Sequence, residues 1–189
     1  MLNVKHTTLY CKKTPSGTIN NKMKINIKES IEINTSADKA WEVIGPNFLN
    51  IADWGRGVKK SWNNDAVKPT FEGAPAGGRF CDLGKYGTVE ESVLHFDQNK
   101  REITWSAKSD KLPGFVKNLQ NALKVEVINE NTCKATTNIT ANATGIAGLF
   151  MGGMIKKNFA KQLAGFVKDW KTYAETGDVS ASKKRELTT

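Results

Sequence analysis

The sequence predicts an α+β domain in which a curved antiparallel sheet wraps around one long C-terminal helix. Apolar residues recur at three- and four-residue steps from residue 146 to residue 175, as one face of a helix requires. Such a helix is about 45 Å long at 1.5 Å per residue. The hundred residues before it are mainly alternating or β-branched segments separated by turn-forming residues. A wide sheet can cover so long an apolar face, whereas a short helix pair cannot.

The order of helices and strands can be predicted from the spacing of apolar residues and from helix-capping residues. Residues 1–22 are polar, basic and without period, and we expect a disordered N-terminal arm. Ser36 is expected to cap a short helix that ends at Gly45, and Gly177 to cap the long helix at its end. A second short helix is expected over residues 47–53, and strands over residues 23–34, 58–62, 79–84, 88–96, 101–108, 122–128 and 132–141.

This order, β-α-α-β-β-β-β-β-β-α with about seven strands, fills one domain over residues 23–177. Residues 63–78 and 109–119 are rich in loop-forming residues and are expected to be loops. Residues 178–189 are expected to be a disordered tail.

Composition limits the classes of function. The net charge is +9, but residues 1–24 alone carry five lysines and no acid, so a solvated tail explains most of it and nucleic-acid binding is not expected. The three cysteines have unrelated spacings without a Cys/His ligand pattern, so no metal site is expected, and free thiols fit a reducing cytoplasm. No cofactor fingerprint and no apolar run long enough to span a membrane occur in the sequence.

Short motifs along this order resemble one superfamily. The segments that carry the resemblance are Glu32-Ile33-Asn34, Ala40-Trp41-Glu42-Val43-Ile44, Trp54, Gly78-Arg79, Glu90-Glu91, Phe96-Asp97 and Lys171-Thr172-Tyr173-Ala174-Glu175-Thr176-Gly177. They resemble the polyketide cyclase/dehydrase and lipid-transport group of the SRPBCC superfamily, which includes START and birch-pollen-allergen-like proteins. The resemblance covers about residues 23–177 and implies a helix-grip fold with an internal cavity between the sheet and the last helix.

The predicted hairpins bring charged residues to the inner face of the sheet. Pairing Gly84 with a residue near position 87 places Arg79 opposite Ser92 and Cys81 opposite Glu90, on the same face as Trp105. A buried charge needs a partner, so Arg79 and Glu90 are expected to interact. Two interpretations remain open: an ion pair that only fixes the sheet, or a polar anchor for a ligand carboxylate, enolate or phenolate.

Other candidates lie around this pair. A loop from Leu112 to Phe115 resembles the cavity-closing loops of the family, and Met151 and Met154 suit either a pocket mouth or the core. The candidate acid–base residues are Glu90, Arg79, Tyr86 and Asp53, because His6 and His95 fall outside the predicted inner face. The expected cavity residues are Trp54, Arg79, Cys81, Glu90, Ser92, Trp105, Leu112, Pro113, Phe115, Met151, Met154, Ile155 and Phe159.

The resulting hypothesis is a carrier or sensor, rather than an enzyme, that binds a small hydrophobic or aromatic, lipid- or polyketide-like molecule as a monomer or homodimer. The first alternative is a cyclase or dehydratase in which Arg79 polarises a carbonyl while Glu90 or Tyr86 moves a proton. The second is peripheral lipid transfer, in which the lysine-backed last helix makes weak contact with an anionic membrane.

Overall fold

The computed structural model describes residues 22–188 and has the predicted helix-grip architecture. Seven antiparallel strands form one sheet in the order β1-β7-β6-β5-β4-β3-β2, which curves around a long helix. The strands are β1 Lys22–Ile33, β2 Lys60–Asn63, β3 Gly78–Asp82, β4 Thr88–Asp97, β5 Glu102–Lys108, β6 Val116–Asn129 and β7 Thr132–Thr144. The helices are α1 Ala37–Ile44, α2 Ile51–Trp54, α3 Gly145–Thr176 and α4 Ala181–Leu187, with 3₁₀ turns at Phe48–Asn50 and Gly84–Tyr86. The arm predicted over residues 1–22 lies outside the described residues, apart from Lys22.

Two predicted helix caps are confirmed. The Ser36 hydroxyl accepts a hydrogen bond from the Lys39 backbone N–H (3.3 Å) at the start of α1. Gly177 adopts a left-handed conformation (φ 73°) and donates its N–H to the Tyr173 carbonyl (2.8 Å) at the end of α3. The Ser36 cap fixes where α1 begins, and the Gly177 cap fixes where α3 ends.

Strand β6 begins six residues earlier than expected, at Val116 instead of residue 122. Its pairing with β7 is interrupted between Lys117 and Gln120, and Asn118 has a positive φ of 53°. This irregularity disturbs the two-residue period of side chains on which the prediction of strands depends.

The C-terminal segment is not the disordered tail that was expected. Ser180 accepts a hydrogen bond from the Lys183 backbone N–H (3.2 Å) and so begins α4, whose Lys183 is buried. A seven-residue helix is too short to be stable by itself, so its contacts with the domain stabilise it.

The first turns of α3 meet the sheet through glycine instead of through large apolar side chains. Gly148 and Gly152 are buried, and a Cβ on Gly148 would lie 2.5 Å from the Ala143 carbonyl carbon of β7. Larger residues on the same turns, including Phe150, therefore point away from the sheet. Further along, Leu163, Val167 and Trp170 face the core, and the Trp170 indole N–H bonds the Ala40 carbonyl (2.9 Å).

Candidate functional site

A cavity of about 540 Å³ lies between the inner face of the sheet and the middle of α3. Strands β3 to β7 form its floor, α3 covers it, and the segment from Gly55 to Val58 forms one side. The apolar lining residues are Ile51, Val58, Leu83, Val89, Trp105, Ala107, Leu112, Leu119, Ile139, Phe159, Leu163 and Phe166. Its lining side chains with polar groups include Arg56, Arg79, Cys81, Glu91, Asn121, Thr137, Gln162 and Glu186.

Arg79 and Glu91 form a buried ion pair on the cavity floor. The two residues lie directly opposite each other on β3 and β4, and Arg79 Nε donates to Glu91 Oε2 at 2.6 Å. Arg79 Nη1 also donates to the Phe48 carbonyl, and the guanidinium carbon lies 3.9 Å from the centre of the Phe48 ring and 5.5 Å from that of Trp105. The charge is thus matched by one carboxylate, one carbonyl and two aromatic faces.

Glu90, which was predicted to pair with Arg79, lies on the outer face of the sheet, away from the cavity. Glu90 lies opposite Phe80, and its Oε1 accepts a hydrogen bond from Asn64 Nδ2 (3.2 Å). The predicted pairing was wrong by one residue, and a one-residue slip moves every side chain to the opposite face. Ser92 moves with Glu90, so neither residue lines the cavity.

Two local features explain the slip. The β3–β4 connection is a five-residue turn over residues 83–87, in which Gly84 and Gly87 have positive φ values of 62° and 78°. Strand β4 then contains an irregularity between Val93 and His95, which changes the register with β5. The prediction assumed a two-residue turn between β3 and β4 and regular pairing of β4 with β5 from Asp97 opposite Lys100. Neither assumption holds, because the turn is longer and Asp97 lies opposite Glu102.

Cys81 lies beside the ion pair, as predicted, and is a buried thiol. Its Sγ lies 3.8 Å from Ser61 Oγ and 3.8 Å from Glu91 Oε2. Burial raises the pKa of this thiol to about 11, and the Glu91 carboxylate raises it too, while Arg79 opposes the shift. At neutral pH the Cys81 side chain is therefore a protonated, weakly polar part of the cavity wall.

The cavity mouth includes two of the residues predicted near it. Leu112 lines the cavity, and so does Tyr86, whose side chain is 64% exposed. Pro113 and Phe115 are not lining residues, and Phe115 packs instead against a core cluster that includes Val116 and Ile139. Asp53 is exposed and is not a lining residue.

Four other predicted cavity residues lie elsewhere. Trp54 is buried in the core, with its ring centre 5.3 Å from that of Phe166. Ile155 packs against the core, whereas Met151 and Met154 are exposed because the glycine face of α3 meets the sheet. Arg79, Cys81, Trp105, Leu112 and Phe159 line the cavity as expected.

The sequence reasoning missed a second ion pair on the opposite side of the cavity. Arg56 donates to the fully buried Asp169 of α3 through Nε (2.6 Å), Nη2 (2.5 Å) and its backbone N–H (3.1 Å). Gly165 makes room for this arginine, since a Cβ there would lie 3.0 Å from Arg56 Nη1. An aspartate on the apolar face of a predicted helix was the signal that could have revealed the pair.

Across the described part of the chain, no group of three His, Cys, Asp or Glu side chains is arranged to hold a metal ion. Within residues 22–188, no helix is long and apolar enough to cross a membrane.

Solved structures of several proteins share this fold. The chain is similar to XoxI from Bacillus cereus, with 18% identity, a TM-score of 0.63, and coverage of 78% of this chain and 93% of that one. It is similar to a START superfamily protein from Mycobacterium smegmatis, with 11% identity, a TM-score of 0.63, and coverage of 81% and 99%. It is also similar to norcoclaurine synthase from Thalictrum flavum in complex with dopamine and hydroxybenzaldehyde, with 14% identity, a TM-score of 0.59, and coverage of 87% and 95%.

Identities this low show a shared fold alone. A comparison with curated proteins finds no match. The family model for polyketide cyclase / dehydrase and lipid transport matches residues 24–175, most of the chain, and the protein therefore belongs to this family.

Proposed function

We propose that the protein binds a small hydrophobic or aromatic molecule in the cavity and acts as its carrier or sensor. The observation that supports this most strongly is an apolar cavity of about 540 Å³ with one buried charged pair on its floor. Cavities that hold small molecules typically measure about 300–1,000 Å³ and combine apolar walls with a few polar groups.

Arg79 is the group that we expect to orient the ligand. Its contacts with Glu91 and Phe48 use two of the five N–H donors of a guanidinium. The remaining donors can meet a carbonyl, carboxylate or phenolate oxygen of a bound molecule. In this proposal the Arg79–Glu91 pair both fixes the sheet and presents a polar anchor.

The cyclase or dehydratase alternative loses Glu90, one of the two residues that were expected to move a proton. Glu90 lies on the outer face of the sheet, and the carboxylate on the cavity floor belongs to Glu91, which already accepts a hydrogen bond from Arg79. Tyr86 stays at the mouth, largely exposed. This arrangement favours ligand binding over acid–base catalysis by Arg79 and Glu90.

A fluorescence titration with the neutral apolar probe N-phenyl-1-naphthylamine tests the binding proposal. Ala107→Trp fills the cavity from β5, while Lys108→Trp places the same ring on the next residue, which is exposed on the other face. We expect Ala107→Trp to weaken binding by at least about tenfold and Lys108→Trp to leave it unchanged. Equal affinity in the wild type and both variants, with folding verified by circular dichroism, would refute binding in the cavity.

We also propose that the first turns of α3 dock on an anionic membrane surface, which would support lipid transfer. The side chains of Ile146, Leu149, Phe150, Met151 and Met154 are all exposed, and that of Phe150 is 85% exposed. We call these five residues the α3 patch. So many exposed apolar residues on two helical turns are unusual for a surface that faces only water.

Lysines lie near both ends of the α3 patch, and acids are far from it in sequence. Lys156, Lys157 and Lys161 are exposed on α3, and exposed Lys22 lies opposite Thr144, next to the first residue of α3. The sequence contains no aspartate or glutamate between Glu130 and Asp169. Exposed apolar side chains flanked by lysines match the chemistry of an anionic lipid surface.

Co-sedimentation with vesicles of phosphatidylcholine and phosphatidylglycerol tests this second proposal. We expect binding at low salt that weakens with added salt and falls severalfold in Phe150→Glu. Leu187→Glu is the matched control, because Leu187 is an exposed apolar residue (67%) on α4. The proposal fails if the protein does not sediment with the vesicles at low salt, or if both variants behave alike.

A further inference from the structure

Helix α4 lies outside the part of the chain that the family model matches. The match ends at residue 175, and α4 follows from Ala181 to Leu187. The turn after Gly177 reverses the chain, so that α4 reaches back to the segment from Gly55 to Val58. That segment forms one side of the cavity.

Lys183 anchors α4 to the segment from Gly55 to Val58. Only 2% of the residue is exposed, and its Nζ donates to the carbonyls of Gly55 (3.0 Å) and Val58 (2.7 Å). Burial lowers the pKa of the lysine, while the carboxylates of Glu186, Asp169 and Asp53 oppose this shift. A buried ammonium group is stabilised only where acceptors are placed for it, so this contact specifies one position for the helix.

Glu186 makes the second contact, at the cavity itself. Its Oε2 accepts the backbone N–H of Gly57 (2.7 Å), and Glu186 is one of the lining residues. Gly57 has a positive φ of 77°, a conformation that glycine adopts readily. Helix α4 thus holds both ends and the middle of the segment from Gly55 to Val58.

The same segment is held from the other side by α3. Arg56, between the two glycines, is bound by the buried Asp169. The segment from Gly55 to Val58 is therefore held by Asp169, within the part of the chain that the family model matches, and by Lys183 and Glu186 of α4. Without α4, the carbonyls of Gly55 and Val58 and the N–H of Gly57 would each lose the partner described above.

We infer that α4 is a latch that completes the binding cavity and slows the exchange of its ligand. Lys183 holds the segment from Gly55 to Val58 closed, and Glu186 supplies part of the cavity wall. This inference rests on the proposed function, because it assumes that a small molecule occupies the cavity.

Stopped-flow release of N-phenyl-1-naphthylamine from the full-length protein tests the latch. We expect Lys183→Met to release the probe about tenfold faster, since it loses two charge-assisted hydrogen bonds. We expect Glu186→Met, which removes the acceptor of the Gly57 N–H, to release the probe severalfold faster. Lys184→Met is the matched control, because Lys184 is exposed on the same helix and pairs with Asp178 (3.1 Å) instead of with the cavity wall. Its release rate should equal that of the wild type.

Two outcomes separate this inference from the proposed function. If the wild type does not bind the probe, the proposed function fails. If it binds the probe and all three variants release it within twofold of the wild-type rate, only the latch is refuted. Should Lys183→Met fail to fold, Glu186→Met still decides, because Glu186 is exposed and its replacement leaves Lys183 in place. Hydrogen exchange at the Gly57 amide should be faster in Glu186→Met, and unchanged exchange would contradict the assigned contact.

Discussion

Arg79 Nε lies 2.6 Å from Glu91 Oε2, across the β3–β4 pair and on the floor of the cavity. Glu90, the next residue, is on the other face and contacts Asn64. This one-residue difference decides which carboxylate pairs with Arg79 and lines the cavity.

Replacing each glutamate by glutamine measures that difference. Glu91→Gln leaves the buried Arg79 charge without a carboxylate, and we expect it to lower the free energy of unfolding by about 2–3 kcal/mol. Glu90→Gln keeps an oxygen acceptor for Asn64 and should change the free energy by less than about 0.5 kcal/mol. Urea unfolding of both variants provides the measurement. A larger effect at Glu90 than at Glu91 would contradict the assigned register.

The pKa of Cys81 predicts how stability depends on pH. The thiol has a pKa of about 11 in the folded protein and about 8.5 in an unfolded chain. Between these values the unfolded chain releases the proton and the folded protein keeps it, so rising pH favours unfolding. We expect Cys81 to remove up to about 2–3 kcal/mol of stability across this range.

Comparison with Cys81→Ala isolates this effect, because Lys183, whose lowered pKa acts in the opposite direction, is the same in both proteins. The difference in free energy of unfolding between wild type and Cys81→Ala should shrink as the pH rises from 8.5 towards 11. A difference that stays constant over this range would show that the thiol is not buried as described.

Replacement by alanine should change the stability of the protein in opposite directions at two glycines of α3. Gly153 is exposed, and a Cβ there would meet nothing within 4 Å, so Gly153→Ala should stabilise the protein by about 0.5–1 kcal/mol. Gly148→Ala should destabilise it by about 1–3 kcal/mol, because the new Cβ would overlap the backbone of Ala143. Thermal or urea unfolding distinguishes them. Equal stabilisation by both would mean that α3 does not lie this close to β7.

The order of helices and strands could be predicted because it depends on the spacing of apolar residues and on helix-capping residues, and both signals act over a few neighbouring residues. Alternation in β1, Ser36 before α1 and Gly177 after α3 each act within a few residues. The site depends on register, which an irregular turn and one extra residue in β4 can change without altering the hydrophobic pattern.

Other parts of the site depend on contacts between distant residues. Lys183 lies in a polar segment that resembles a solvated tail, and only its two carbonyl acceptors, more than 120 residues earlier, make it a core residue. The apolar residues at the start of α3 fit a helix face in the sequence. Gly148 and Gly152 determine that this face does not pack on the sheet.

The central claim, that a small apolar molecule binds in the cavity, is tested most directly by locating the binding site of such a molecule. Backbone amide chemical shifts, recorded by NMR while N-phenyl-1-naphthylamine is added, report on every part of the surface at once. We predict the largest shift changes at cavity residues such as Val89, Thr137 and Phe166, with those of Ile146 and Phe150 in the α3 patch nearly unchanged. Shift changes confined to the α3 patch would contradict the claim that the cavity is the binding site.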